Sequence, residues 1–150
     1  MHEVLKLSDA QVLAEATAKA MYARDEATKT LGMEILAVGP GTARISMKVR
    51  PDMLNGHQTC HGGFIFALAD STFAFACNSY NLNTVAAGCS IEYLAPGRAG
   101  DMLTAQAVEQ ARAGRSGVYD ITVTNQEGAC IALFRGKSHQ IKGEVIGACS

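Results

Sequence analysis

Residues 62–80 read GGFIFALADSTFAFACNSY, and the reading of this stretch decides the fold. One formal charge, Asp70, interrupts it. A membrane helix usually needs about 20 apolar residues. This stretch contains Asp, Ser, Thr and Asn, and strand-like segments follow it, so it reads as a buried helix in a water-soluble domain. A helix that is apolar all round must be covered on most sides. A single antiparallel sheet can do that only by curling around it. The expected fold class is α+β, an antiparallel sheet wrapped on a central helix at about 62–80.

The flanking sequence supplies the sheet. Upstream, MEILAV (33–38) and TARISMKV (42–49) flank Gly39-Pro40-Gly41, which reads as a hairpin turn. Ala43, Ile45, Met47 and Val49 alternate with polar residues, the period of a strand buried on one face. Downstream, strands are expected at 84–93, 101–112, 116–125 and 129–141. Their short connections favour an antiparallel meander. An additional N-terminal helix is expected over about 8–31. Ser8 with Gln11 matches a capping box, Val12, Leu13, Ala16, Ala20 and Ala23 form its apolar stripe, and Gly32 stops it. Residues 143–150 read as a tail. The 150 residues show no repeat or linker and suit one domain.

Composition narrows the function. Hydrophobic residues make up 48%, charged residues 18%, and the net charge is −1. That balance supports a globular core and argues against a nucleic-acid partner. No secretory pattern opens the chain. Five cysteines, an odd number without CxxC, argue against a disulfide framework and for a reducing, cytoplasmic setting. They are expected to be small buried apolar residues.

Asp70 is the principal candidate for chemistry. An ionised Asp in an apolar helix is costly, or its pKa rises. It is either satisfied structurally, by Ser71, Thr72 or an Arg, or held in a dry site as nucleophile or general base. Gly62 and Gly63 leave N–H donors uncovered at the positive end of the helix dipole, where they could bind a polarised carbonyl oxygen. Tight packing is the plainer explanation of the pair. Gly62 and Asp70 lie about 12 Å apart along one helix, so one chain cannot easily aim both at one carbon. Two antiparallel copies could, with Ala67, Ala69, Ser71, Ala74 and Ala76 permitting close approach. A homodimer with shared active sites follows as an expectation.

The loop NGHQTCH (55–61) adds Asn55, a water- or substrate-orienting residue or a turn former, and His61, a base or a structural residue. The spacing of His57, Cys60 and His61 matches no zinc pattern, so no metal is expected. Nucleophile-elbow, Walker A and dinucleotide-binding motifs are absent.

The segments NGHQTCHGGFIFALADSTFAFACNS, VAAGCSIEYLAPGRAGDMLTA, GVYDITVTNQEG and ALFRGKSHQI strongly resemble the hot-dog-fold thioesterases of the phenylacetic-acid degradation (PaaI) group. The resemblance implies a cytoplasmic enzyme of aromatic catabolism that hydrolyses acyl-CoA thioesters, typically aryl-acetyl or hydroxylated aryl-acetyl ones. It implies a homodimer, usually a dimer of dimers, with no cofactor beyond the coenzyme A of the substrate. By position, Asp70 is nucleophile or general base. Gly62, with Gly63 in support, polarises the carbonyl. Asn55 positions water or thioester, and His61 supports the loop. Arg98, Arg112, Arg115, Arg135 and Lys137 are candidates for the CoA phosphates. Phe64, Phe66, Phe73 and Met53 are candidate acyl-pocket walls, with core packing as their plainer role. Rival readings are a hot-dog hydratase or dehydratase, in which His61 would be catalytic, and a non-catalytic acyl-CoA-binding module.

Overall fold

The computed structural model describes the backbone of residues 2–147, and side chains from residue 9 onward. Helices α1 (His2–Arg24) and α2 (Glu26–Thr30) precede strands β1 (Glu34–Gly39) and β2 (Thr42–Lys48). A short 3-10 turn (Pro51–Met53) leads to the central helix α3 (Gly62–Cys77). Strands β3 (Thr84–Tyr93), β4 (Met102–Ala113), β5 (Ser116–Thr124) and β6 (Cys130–Gln140) follow. All six strands join one antiparallel sheet in the order β1-β2-β4-β5-β6-β3.

The expected single N-terminal helix is instead two. Asp25 leaves helical geometry and its carboxylate accepts from Thr28 N–H at 3.1 Å, capping α2. Helix α1 already runs through Ser8, so that residue is not a helix start, and its side chain lies outside the described residues. The stop at Gly32 holds. At φ +69° it lets Met33 N–H reach Thr28 C=O and Gly32 N–H reach Lys29 C=O, a Schellman closure. The phase of the α1 stripe differs from expectation. Val12 and Leu13 face solvent, whereas Ala14, Thr17 and Ala18 are buried. Thr17 can be buried because its hydroxyl donates to Leu13 C=O at 2.7 Å.

In β2 the expected alternation holds for Ala43, Ile45 and Met47, which are buried, but Ser46 between them is buried as well. The three apolar residues join α3 residues Ile65, Leu68, Ala69, Phe73 and Phe75 and β4–β6 residues Leu103, Ile121, Val123 and Phe134 in one core. The meander is broken at β3. That strand pairs with β6 rather than with the next strand, β4. The chain between β3 and β4 passes beneath the start of α3, where Gly97 C=O accepts from Cys60 N–H at 2.7 Å.

Coverage of α3 is incomplete. Gly63 is exposed, and Phe66, Ala67, Asp70, Ser71 and Ala74 are partly exposed, a stripe at helical spacing. Of the small residues expected to permit close approach of a second helix, Ala67, Ser71 and Ala74 lie on this open stripe. Ala69 and Ala76 are fully buried in the core. Beside the stripe, β3 is an edge strand exposed along most of its length. Among the described cysteines all are free thiols. Cys60 and Cys77 are buried as expected, with burial pushing their pKa values to about 11 and about 12. Cys89 is exposed and Cys130 half-buried, contrary to expectation, and Cys149 lies outside the described residues. Among the described residues no helix is long and apolar enough to cross a membrane.

Candidate active site

The site starts at a braced loop. Asn55 Oδ1 accepts from His57 N–H at 2.9 Å and from Thr59 N–H at 3.2 Å, while Asn55 N–H donates to Thr59 C=O at 2.8 Å. A bridge between Leu54 and Cys60 closes the loop, and His61 N–H donates to Met53 C=O at 2.8 Å. The turn-forming role of Asn55 is thus present in the geometry. Its oxygen is spent on the loop, and its amide nitrogen is the group left for a ligand.

His61 caps α3. Its backbone is extended (φ −58°, ψ 132°) and its Nδ1 accepts from Gly63 N–H at 3.0 Å. This separates the two glycines. The Gly63 donor is already satisfied, whereas Gly62 N–H makes no hydrogen bond to the described residues. The Gly62 donor therefore remains at the positive end of a 16-residue helix, free for an incoming oxygen. With Nδ1 accepting, His61 is held in the loop as a structural acceptor. Its ring also packs edge-on against Phe64, 6.2 Å between centroids.

A groove of about 440 Å³ opens at this helix start, lined by Thr59, Cys60, Gly62, Tyr93, Leu94 and neighbours. Asp70 is not part of its lining; it projects from the open stripe two turns further along. Among the described residues neither a hydroxyl nor an arginine satisfies Asp70. Thr72 Oγ1 donates to Leu68 C=O instead, at 2.7 Å. The contact recorded for the Asp70 carboxylate is the Cys89 thiol, with Sγ 4.0 Å from Oδ1. Burial raises the Asp70 pKa above the usual carboxylate value. A carboxylate so short of partners is suited to take a proton or attack an electrophile, and poorly suited to bracing a fold.

Other candidates fall elsewhere. Phe73 is a core residue, 1% exposed, packed on Tyr119 and Phe134 at 5.6 and 6.0 Å between centroids. Its ring lies so close to Gly136 that a Cβ there would sit 2.7 Å from it, so the pocket-wall role is not open to it. Met53 is likewise buried. Phe66 and Phe64 are partly exposed, Phe66 packing edge-on to Phe134 at 5.3 Å. The Arg135 guanidinium forks onto Asp120 at 2.7 and 2.8 Å on an exposed face. Arg112 stacks 3.7 Å over the Tyr80 ring and pairs with Glu109. Lys137 is exposed, and no ion pair is formed by it among the described residues. Two contacts were missed in the sequence, Cys89 with Asp70 and Tyr93 with Gly62. They lie 19 and 31 residues from their partners and have no local signature.

Comparisons with known proteins give the family. The family model of the thioesterase superfamily matches residues 57–132, a span containing both Gly62 and Asp70. The acyl-coenzyme A thioesterase PaaI of Escherichia coli (strain K12) is 51% identical over 130 residues, covering 87% of this chain and 93% of that protein. The solved structure of the E. coli PaaI protein from the phenylacetic acid degradation operon superposes with a TM-score of 0.88 at 49% identity, covering 89% of this chain and 97% of that one. A hypothetical thioesterase protein of Streptococcus pneumoniae TIGR4, solved with coenzyme A, superposes with a TM-score of 0.71 at 28% identity, covering 75% of this chain and 87% of that one. The free donor at Gly62, the partner-poor carboxylate at Asp70, the wrapped helix and these matches converge: the chain belongs to the thioesterase superfamily, in its phenylacetic-acid-degradation (PaaI) group, and has the hot-dog fold.

Proposed function

We propose that the protein hydrolyses aryl-acetyl-CoA thioesters, phenylacetyl-CoA or its ring-hydroxylated forms, to the free acid and coenzyme A. This reading is supported by an unused Gly62 N–H and a partner-poor Asp70 carboxylate on one helix, and its acyl class by the 51% identity to the E. coli acyl-coenzyme A thioesterase PaaI. Gly62 N–H donates to the developing oxyanion, a contribution that in acyl transfer is worth about 3–4 kcal/mol of barrier. Asp70 activates a water or attacks the carbonyl carbon. If it attacks, the thiolate leaves with the electrons of the C–S bond, and water then cleaves the mixed anhydride. Asn55 Nδ2 is left to orient water or thioester. The coenzyme A is part of the substrate, and this reading needs no further cofactor.

Two helical turns, about 12 Å, separate the groups within one protomer, which cannot easily bring both to one carbon, so the proposed unit is a homodimer with Gly62 of one chain facing the partner's Asp70. The open stripe on α3 and the exposed edge of β3 support it, since pairing two β3 edges would cover both. A dimer of dimers extends the same reading. The free thiols of the described cysteines support a cytoplasmic setting. His61, committed at Nδ1, is a poor catalytic base, which weighs against a hydratase.

A panel of acyl-CoA thioesters with a thiol-reactive dye tests the proposal. Thiol release with preference for aryl-acetyl over straight-chain acyl groups is expected. Preference for fatty acyl chains would overturn the aryl-acetyl assignment, and double-bond hydration without thiol release would overturn hydrolysis itself.

A further inference from the structure

Tyr93 ends β3, and its phenol donates to Gly62 C=O at 2.8 Å. Its ring lies against Gly62 so closely that a Cβ there would sit 3.0 Å from Cζ. Yet Tyr93 is 49% exposed, so the contact is not a by-product of core packing. Burial raises the phenol's pKa, which keeps it a donor.

The peptide joining Gly62 to Gly63 is thus held at both ends. Tyr93 holds its carbonyl oxygen, and His61 Nδ1 holds its N–H at 3.0 Å. First-turn peptides of a helix lack intrahelical partners for their N–H groups and fray. Glycine makes this worse, having the widest backbone freedom. Fixing the plane of the 62–63 peptide restricts ψ of Gly62, and His61 C=O, accepting from Phe64 N–H at 2.9 Å, restricts the plane before it. Between these two restraints lies the Gly62 N–H, in a residue that lines the same groove as Tyr93. Hydrogen bonds in series also polarise one another.

We propose that Tyr93 is a positioning residue for the oxyanion-binding donor, acting through the Gly62 carbonyl rather than on the substrate. This rests on the reading above that Gly62 N–H polarises the thioester carbonyl. Removing an oxyanion donor costs about 10²–10³ in kcat. Tyr93→Phe keeps the donor and the ring contact and frees only its aim, so the expected loss is about tenfold, since small misplacements act strongly on rate.

The test uses the full-length protein and phenylacetyl-CoA. Tyr93→Phe is expected to lower kcat with KM unchanged and the melting temperature close to the parent's. In an Asp70→Asn background, which lets the bound thioester persist, infrared difference spectra should show a carbonyl stretch lowered by polarisation, and Tyr93→Phe should move it back toward the free value. Unchanged kcat and carbonyl frequency, or a raised KM alone, would overturn the positioning role. A parent enzyme that releases no thiol would overturn the functional reading instead, and that outcome is seen before any variant is made.

Discussion

Replacing Asp70 with Asn should move activity and stability in opposite directions. The substitution keeps size and shape and removes the charge. In the parent that charge is half-buried, with the Cys89 thiol 4.0 Å away as its recorded partner. Such a charge costs stability at neutral pH, and relieving strain of this class typically gains about 0.5–2 kcal/mol. For a chain of this length each kcal/mol shifts Tm by roughly 2–4 °C, so the Asn variant should melt about 1–8 °C higher. Loss of a general base costs about 10²–10⁴ in rate. Stopped thiol-release assays give kcat, and calorimetry gives Tm. Because the folded-state pKa of Asp70 is raised, its charge destabilises the fold above that pKa, and the cost disappears as pH falls through it. The Tm gap between variant and parent should therefore narrow on acidification, over the same range in which the parent loses turnover. An Asn variant that keeps kcat within tenfold of the parent, or that loses both activity and several degrees of Tm, would refute the reasoning, the latter by showing that Asp70 braces the fold.

Three further outcomes follow from the placement of other residues. Phe73→Leu should cost about 1–3 kcal/mol as a core truncation, seen as a lower urea midpoint at constant slope, with acyl preference unaltered. A changed acyl preference at unchanged stability would return Phe73 to the pocket. Arg135→Ala should leave KM for CoA thioesters unaltered, because its guanidinium is committed to Asp120; a severalfold rise would place it on the phosphates. Gly62→Pro removes the proposed donor and suits the first helical position and the extended backbone of His61, while its Cβ, 3.0 Å from Tyr93 Cζ, requires that ring to shift. Co-refolded in equal amounts with Asp70→Asn, it should recover about a quarter of parental activity, since half the random pairs are mixed and each holds one intact site. No recovery from stable mixed dimers would refute the shared site.

Much of the fold was legible because local signals agreed with it. The apolar helix after His61-Gly62-Gly63, the alternation of 42–49 and the glycine-rich turns each have a short period that the chain carries in its own order. Boundaries came close, as at β3, expected and found at 84–93. The α1 stripe misled because Ala and Thr are weak markers of a buried face. The break at Asp25 was hidden because good helix formers flank it on both sides, although Asp itself favours a cap over a helix interior.

What the sequence alone determined is the list of groups: one charge in an apolar helix, a glycine pair at its start, and a family likeness that names the thioester. Tertiary structure decided how each is used. It placed β3 beside β6 instead of β4, since sheet order depends on which edges meet as the sheet closes round α3. It consumed the Gly63 donor on His61 and left Gly62 free, moved Phe73 into the core, and turned Arg135 to Asp120. It brought Cys89 to Asp70 and Tyr93 to Gly62 across gaps that no local periodicity spans. Composition and period are properties of neighbours in the chain, whereas the satisfaction of a donor or a charge depends on neighbours in space.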